Sequence, residues 1–134
     1  MSYSLIHDPD DTFLWTMTGN MDADEFRRWF AHTRQVTLDS PLRTLYHIMD
    51  VRTAQTNFGA ILGQMREVGK DPFNAIDGRS INFLFVGTNE MAKLAANLAK
   101  LPQFGGFEMP MFRTMEDVQE FIRIDRLKRQ GVTE

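Results

Sequence analysis

Asp50, Arg52, Thr53, Thr56 and Asn57 crowd into the stretch DVRTAQTN, just ahead of apolar residues at helical spacing. A carboxylate, a guanidinium, two hydroxyls and an amide beside a helix start could hold an anion. The first N–H groups of a helix are unpaired and carry the positive end of its dipole. A threonine at that place could also carry a phosphate that pairs with a basic side chain. The same residue types close a strand, turn the chain and cap a helix without any ligand. Both readings stand on the sequence.

A second set could hold something apolar. Phe58, Ile61 and Met65 share a face of the helix that follows, and LPQFGGFEMPMF places Phe104, Phe107 and Met109 around a glycine pair. The chain has nine methionines, whose flexible thioethers fill irregular cores and also shape adaptable binding surfaces.

Other chemistry is poorly served. His7, His32 and His47 fall in different elements, each without a second ligand at metal spacing, and His47 reads as a core or strand histidine. There is no cysteine, which removes disulfides, thiolate catalysis and cysteine-ligated metals. No G-x-S-x-G elbow, dinucleotide fingerprint or P-loop occurs. The acids Asp22, Asp24 and Glu25, and later Glu116 and Asp117, stand where a helix start welcomes negative charge. The basic residues Arg123, Arg126, Lys128 and Arg129 suit a helix end in the same way. The expectation is a protein without catalytic residues, metal or cofactor. A net charge of −3 argues against a general nucleic-acid binder. The first twenty residues lack a signal-peptide pattern and no apolar run approaches a membrane span, so a cytoplasmic setting is expected.

The elements that would position these groups follow from periodicity. YSLIH and TFLWTMTG read as strands joined across DPDD, and Phe13, Trp15 and Met17 alternate with Leu14, Thr16 and Thr18. MDADEFRRWFAHTRQV is a helix with Asp22 and Glu25 in capping positions and Phe26, Trp29, Phe30 and Thr33 on one face. TLYHIMD is a strand closing at Asp50, and a helix spans Asn57 to Gly69. INFLFVG is a central strand, followed by a helix with Met91, Leu94, Ala95 and Leu98 on its apolar face. EMPMFR is a short edge strand because Pro110 cannot donate to a ladder, and Thr114 caps the last helix. The order β-β-α-β-α-β-α-β-α predicts an α/β domain over residues 1–134, with a mostly parallel five-stranded sheet. With helices mainly on one side, Leu84 or Val86 would face an uncovered sheet surface.

The stretches TFLWTMTGNMDADEFRRWF, TLYHIMDVRT, INFLFVGTNE and MFRTMEDVQEFI together resemble the STAS superfamily, in particular its SpoIIAA-like branch. The resemblance covers roughly residues 3–123. It implies a β-α superhelical sheet, a fold shared with lipid-binding CRAL-TRIO (Sec14-like) domains, and a regulatory or binding module in place of an enzyme. Anti-sigma-factor antagonists of this branch carry Asp-Ser-Ser-Gly at the start of the helix after the third strand, where a phosphoserine switches partner binding. Here the region reads QTNFGAILG, with no serine and with Thr56 and then Thr53 as the nearest hydroxyls. That departure weighs against a phospho-switch. The leading expectation is a protein-binding regulatory homodimer, and the alternative is a carrier of a small apolar ligand or lipid.

Overall fold

Phe13, Trp15 and Met17 are buried while Leu14 and Thr16 are only half covered, the period-two burial of a strand whose two faces differ. A computed structural model describes residues 3–56, 59–63, 66, 78–102 and 108–131. Its strands are β1 (Tyr3–His7), β2 (Thr12–Asn20), β3 (Thr44–Gln55), β4 (Ser80–Val86) and β5 (Met111–Phe112). The helices are α1 (Ala23–Asp39), α2 (59–63), α3 (Glu90–Ala99) and α4 (Met115–Arg129). One sheet runs β1-β2-β3-β4-β5, with β1 antiparallel to β2 and every later neighbour parallel.

The parallel strands stand in sequence order, so each right-handed crossover carries its helix over the same face. Trp29 of α1, Ile61 of α2 and Ala95, Ala96 and Ala99 of α3 accordingly share one core with Phe13, Trp15, Met49 and Phe85. Among the described helices only α4, which has no strand to return to, crosses to the other face. There Val118 and Ile122 close over Tyr46, Ile48, Leu84 and Val86. Leu84 and Val86 are therefore fully covered, at 1% and 0% exposure, contrary to the expected open face.

Local signals set several boundaries. The Asp22 side chain accepts the Glu25 N–H at 2.9 Å, and Thr114 accepts that of Asp117 at 3.1 Å, so both helices start where the capping residues indicate. The last turn of α1 has no basic residue of its own. Arg79, just before β4, donates to the Thr37 and Leu42 carbonyls at 2.8 and 3.0 Å and serves that helix end from a distance in sequence. The α3 face differs from expectation too. Ala92, Ala95, Ala96 and Ala99 are buried while Leu94 and Leu98 are half exposed. Small side chains let this helix lie close on the sheet.

Candidate functional site

The strand expected to close at Asp50 runs on to Gln55. Thr16 of β2 pairs with Asp50, but Thr18 pairs with Thr53, so Val51 and Arg52 together stand opposite Met17. This is a β-bulge, and an extra residue in one strand leaves backbone groups to be satisfied from elsewhere. Asp50 accepts the Arg52 N–H at 3.2 Å, and the Asn89 side-chain amide donates to the Val51 carbonyl at 3.2 Å. Asn89 also caps α3, its Oδ1 receiving the Ala92 N–H at 2.8 Å. One side chain thus fixes the bulge to the start of the next helix.

Arg52 and Thr53 are therefore strand residues, whereas the sequence reading put them in a loop. Arg52 clasps Asp50 through two bonds of 2.9 and 2.8 Å. The Arg52 guanidinium holds the Asp50 carboxyl below its ordinary range, and Asp50 in turn pushes the Arg52 guanidinium up. An arginine closed on a carboxylate offers little net charge to an anion. Thr56 donates to the Met21 carbonyl at 2.6 Å, and Met21 donates its N–H to the Gln55 carbonyl at 2.7 Å. These two bonds lash the chain leaving β2 to the end of β3. The exposed Thr53 makes only a long 3.4 Å contact with the Met17 carbonyl. The structure thus brings Asp50 and Arg52 together as an ion pair and uses Thr56 as a strap. Asn57 lies outside the described residues.

Beneath these carboxyl-terminal strand ends is an apolar cavity of about 70 Å³. Met17, Met21, Met49 and Met109 line it with Trp29, Ile61 and Phe85. Ile61 and Met109 belong to the apolar set picked out in the sequence; Phe58, Met65, Phe104 and Phe107 lie outside the described residues. Met17, Met21, Met49 and Trp29 are lining residues that the sequence reading assigned only to the core or passed over. The register joining Met17 and Met49 to the strand ends was the signal available. Thr56 and Asn89 also border the cavity, with donors committed to the Met21 and Val51 carbonyls. The Trp29 indole N–H is buried without a hydrogen-bond partner among the described residues.

His47 sits elsewhere, in a row of rings crossing the sheet. His7 stacks on Phe13, Phe13 on His47 and His47 on Phe83, with centroids 4.1, 4.8 and 5.2 Å apart. Trp15 donates to His47 Nδ1 at 2.9 Å, so the neutral ring carries its proton on Nε2 and donates it to Thr37 at 2.9 Å. Thr37 passes its own hydroxyl hydrogen to the Thr33 carbonyl at 2.7 Å. Burial, with a smaller contribution from the charge on His7, pushes His47 down to about 3. It is a neutral core histidine with both nitrogens engaged. Among the described residues no group of three histidine or acidic side chains could hold a metal ion, and no helix is long and apolar enough to cross a membrane.

No protein-family model and no curated protein matches the sequence. Solved structures do match the fold. An uncharacterised protein of the DUF3478 family from Shewanella loihica, described as SpoIIAA-like, is 12% identical with a TM-score of 0.57, over 89% of this chain and 90% of that one. The unphosphorylated anti-sigma factor antagonist SpoIIAA is 15% identical with a TM-score of 0.58, over 90% of this chain and 97% of its own. The phosphorylated form of SpoIIAA, the Bacillus cell fate determinant, is 14% identical with a TM-score of 0.53, over 90% and 99%. The chain has a SpoIIAA-like α/β fold.

Proposed function

We propose that residues 1–134 form one non-catalytic regulatory domain that works in the cytoplasm by binding a protein partner, as a homodimer. The observation that carries this reading is the fold match to an anti-sigma factor antagonist over nine-tenths of the chain. His47 supports the non-catalytic part, since both of its nitrogens are engaged inside the core. The open edge of β1, where Ile6 is 58% exposed, supports a second copy as one partner. Phosphorylation is not needed for this reading, because the relatives' serine is missing; Thr53 is the hydroxyl a kinase would reach first. Calorimetric titration against the anti-sigma-type regulators encoded in its own genome tests the reading. A stoichiometric complex with one of them, formed without phosphorylation, is expected. Silence across the whole set would sink it. Sedimentation at micromolar concentration tests the dimer, which a clean monomer would remove.

The methionine-lined cavity favours a second reading, a module that carries a small apolar ligand or lipid. Native mass spectrometry of protein from its own host would then show an added apolar mass.

A further inference from the structure

The two edges of the sheet are finished differently. At one edge β5 has two residues, Met111 and Phe112, directly after Pro110. A short, proline-bounded edge of that kind resists further pairing. At the other edge β1 pairs all five of its residues with β2 without a bulge, and among the described residues nothing pairs with its outer side. Its sequence, YSLIH, contains no lysine, arginine, acid or proline. Tyr3 and Leu5 pack toward the helical core, so Ser4 and Ile6 stand on the other face, both exposed, opposite Thr16 and Leu14. On the helical side Leu5, His7, Val36 and Leu42 line a groove of about 330 Å³ beside this strand.

Resting on the homodimer reading, we propose that the second copy docks on β1 itself: the two β1 strands pair antiparallel about a twofold axis at Leu5 and join the two sheets into one. An antiparallel pair of identical strands is its own complement, and the axis at Leu5 is the register that pairs every residue of β1. Leu5 then faces its own copy, Ser4 faces the partner's Ile6, and Tyr3 faces the partner's His7. A charge near the axis would meet itself, and this strand carries none with histidine neutral. The first acid along the chain is Asp8. It lies about 20 Å from its copy along the strands, beyond the screening length of about 8 Å. Sliding the strands toward the turn would bring these acids together, and sliding them the other way leaves β1 residues unpaired. Such a short ladder is little for a stable dimer, which covers roughly 800 Å² per partner. The groove beside His7 widens the contact. Tyr3 and His32 pack together, 6.1 Å between ring centres, and the twofold brings that pair from the second copy to the mouth of the groove. Ile6, 58% exposed in the single chain, gains cover across the axis.

The test uses the intact chain, whose lack of cysteine leaves introduced thiols without background. Ser4→Cys and Ile6→Cys are prepared separately, mixed and mildly oxidised. The proposed register sets residues 4 and 6 of the two copies directly opposite, about 5 Å apart between α-carbons and within disulfide reach. Intact-mass spectrometry is expected to show the mixed disulfide dimer well above its statistical share, with each variant alone linking poorly. In sedimentation, Ile6→Lys is expected to weaken the dimer at least about tenfold, since it sets like charges near the axis. Leu101→Lys, at an exposed position after α3, should leave the dimer within about twofold. A wild-type monomer at micromolar concentration removes the homodimer reading and this inference with it. A dimer that ignores Ile6→Lys, or that forms no mixed disulfide, leaves the reading standing and overturns the β1 interface. If the β1 amides gain exchange protection only when an anti-sigma-type regulator is added, the edge belongs to a strand of that regulator and the inference is likewise overturned. Should Ile6→Lys fail to fold, the two cysteine variants decide alone.

Discussion

A β-carbon on Gly87 would lie 3.1 Å from Val51 Cγ2, and its φ of +134° is one that side chains rarely adopt. The glycine is there because the chain leaving β4 passes against the bulge that Asp50 and Asn89 hold. Its own N–H reaches Phe112 at 2.8 Å, so the backbone cannot swing aside without releasing β5. Gly87→Ala is expected to lower stability by about 1–3 kcal/mol, the range for backbone strain at such positions. Gly63 is the control. It lies in α2 with nothing among the described residues within 4 Å of a β-carbon and no unusual φ. Gly63→Ala should raise stability by about 0.5–1 kcal/mol through helix propensity. Urea melts of the two variants beside the wild type check both signs, and a neutral Gly87→Ala would refute the close approach.

At the scale of elements, α4 is held on its face by more than apolar contact. Arg126 donates to both oxygens of Asp11 at 3.0 and 2.7 Å, and to Thr12 at 3.1 Å. Its guanidinium also lies 5.6 Å from the centre of the Tyr46 ring. The Tyr46 hydroxyl donates to Asp125 at 2.5 Å, and Arg129 donates to the same oxygen at 2.6 Å. Burial pushes Asp11 up, but the Arg126 and Thr12 hydrogen bonds outweigh it and leave its carboxyl below the ordinary value. Burial and the Asp125 partner push Tyr46 up to about 12. Arg126→Met keeps the aliphatic stem and should lower stability by about 1 kcal/mol, a value discounted for the partial exposure of both partners. Arg123→Met, which removes an exposed pair with Glu120, should stay within about 0.5 kcal/mol. Equal losses in thermal melts of the two variants would mean that the Asp11–Arg126 contact is an ordinary surface pair. These contacts also mark what the sequence could reveal. Asp22 and Thr114 act within three residues and were legible as caps. Arg126 meets Asp11 across 115 positions and Arg79 meets Thr37 across 42, and neither leaves a local pattern. Of the buried alanine face of α3 only Ala95 is legible in the sequence, because a stripe of small side chains has little hydrophobic contrast. β3 was cut short because Arg52, Thr53 and Gln55 lack strand-like alternation, and tertiary bonds hold them in the ladder instead.

At the scale of the whole molecule, the element order was legible because each strand and helix has its own period. Monotonic strand order with right-handed crossovers then leaves little freedom for the topology. The cavity was legible only in part, since Ile61 and Met109 carry a sequence signal whereas Met17 and Met49 reach it through strand register and Trp29 through the packing of α1 on the sheet. The row His7, Phe13, His47 and Phe83 ties all of this to pH. His47 lies at the centre of the sheet, where Trp15 donates to it and Thr37 receives from it, so charging the ring would disrupt the core. Burial depresses its folded value to about 3, against 6.5 ordinarily. As pH falls below 6.5 the unfolded chain takes up a proton that the folded chain refuses. Stability is therefore complete above that value and declines towards the folded value, by up to about 1.4 kcal/mol per pH unit. Asp11, Asp50 and Asp125, which the fold holds below their ordinary 3.8, and Glu120, held below 4.5, add to the decline only below about pH 5. Between pH 6.5 and about 5 the His47 contribution stands apart from theirs. His47→Gln can accept from Trp15 and donate to Thr37 but does not titrate. Urea melts across that window should give the wild type a loss of about 1.5 kcal/mol that the glutamine variant, although weaker at neutral pH for want of ring stacking, does not share. If both proteins lose stability with the same slope, a group other than His47 links this fold to pH.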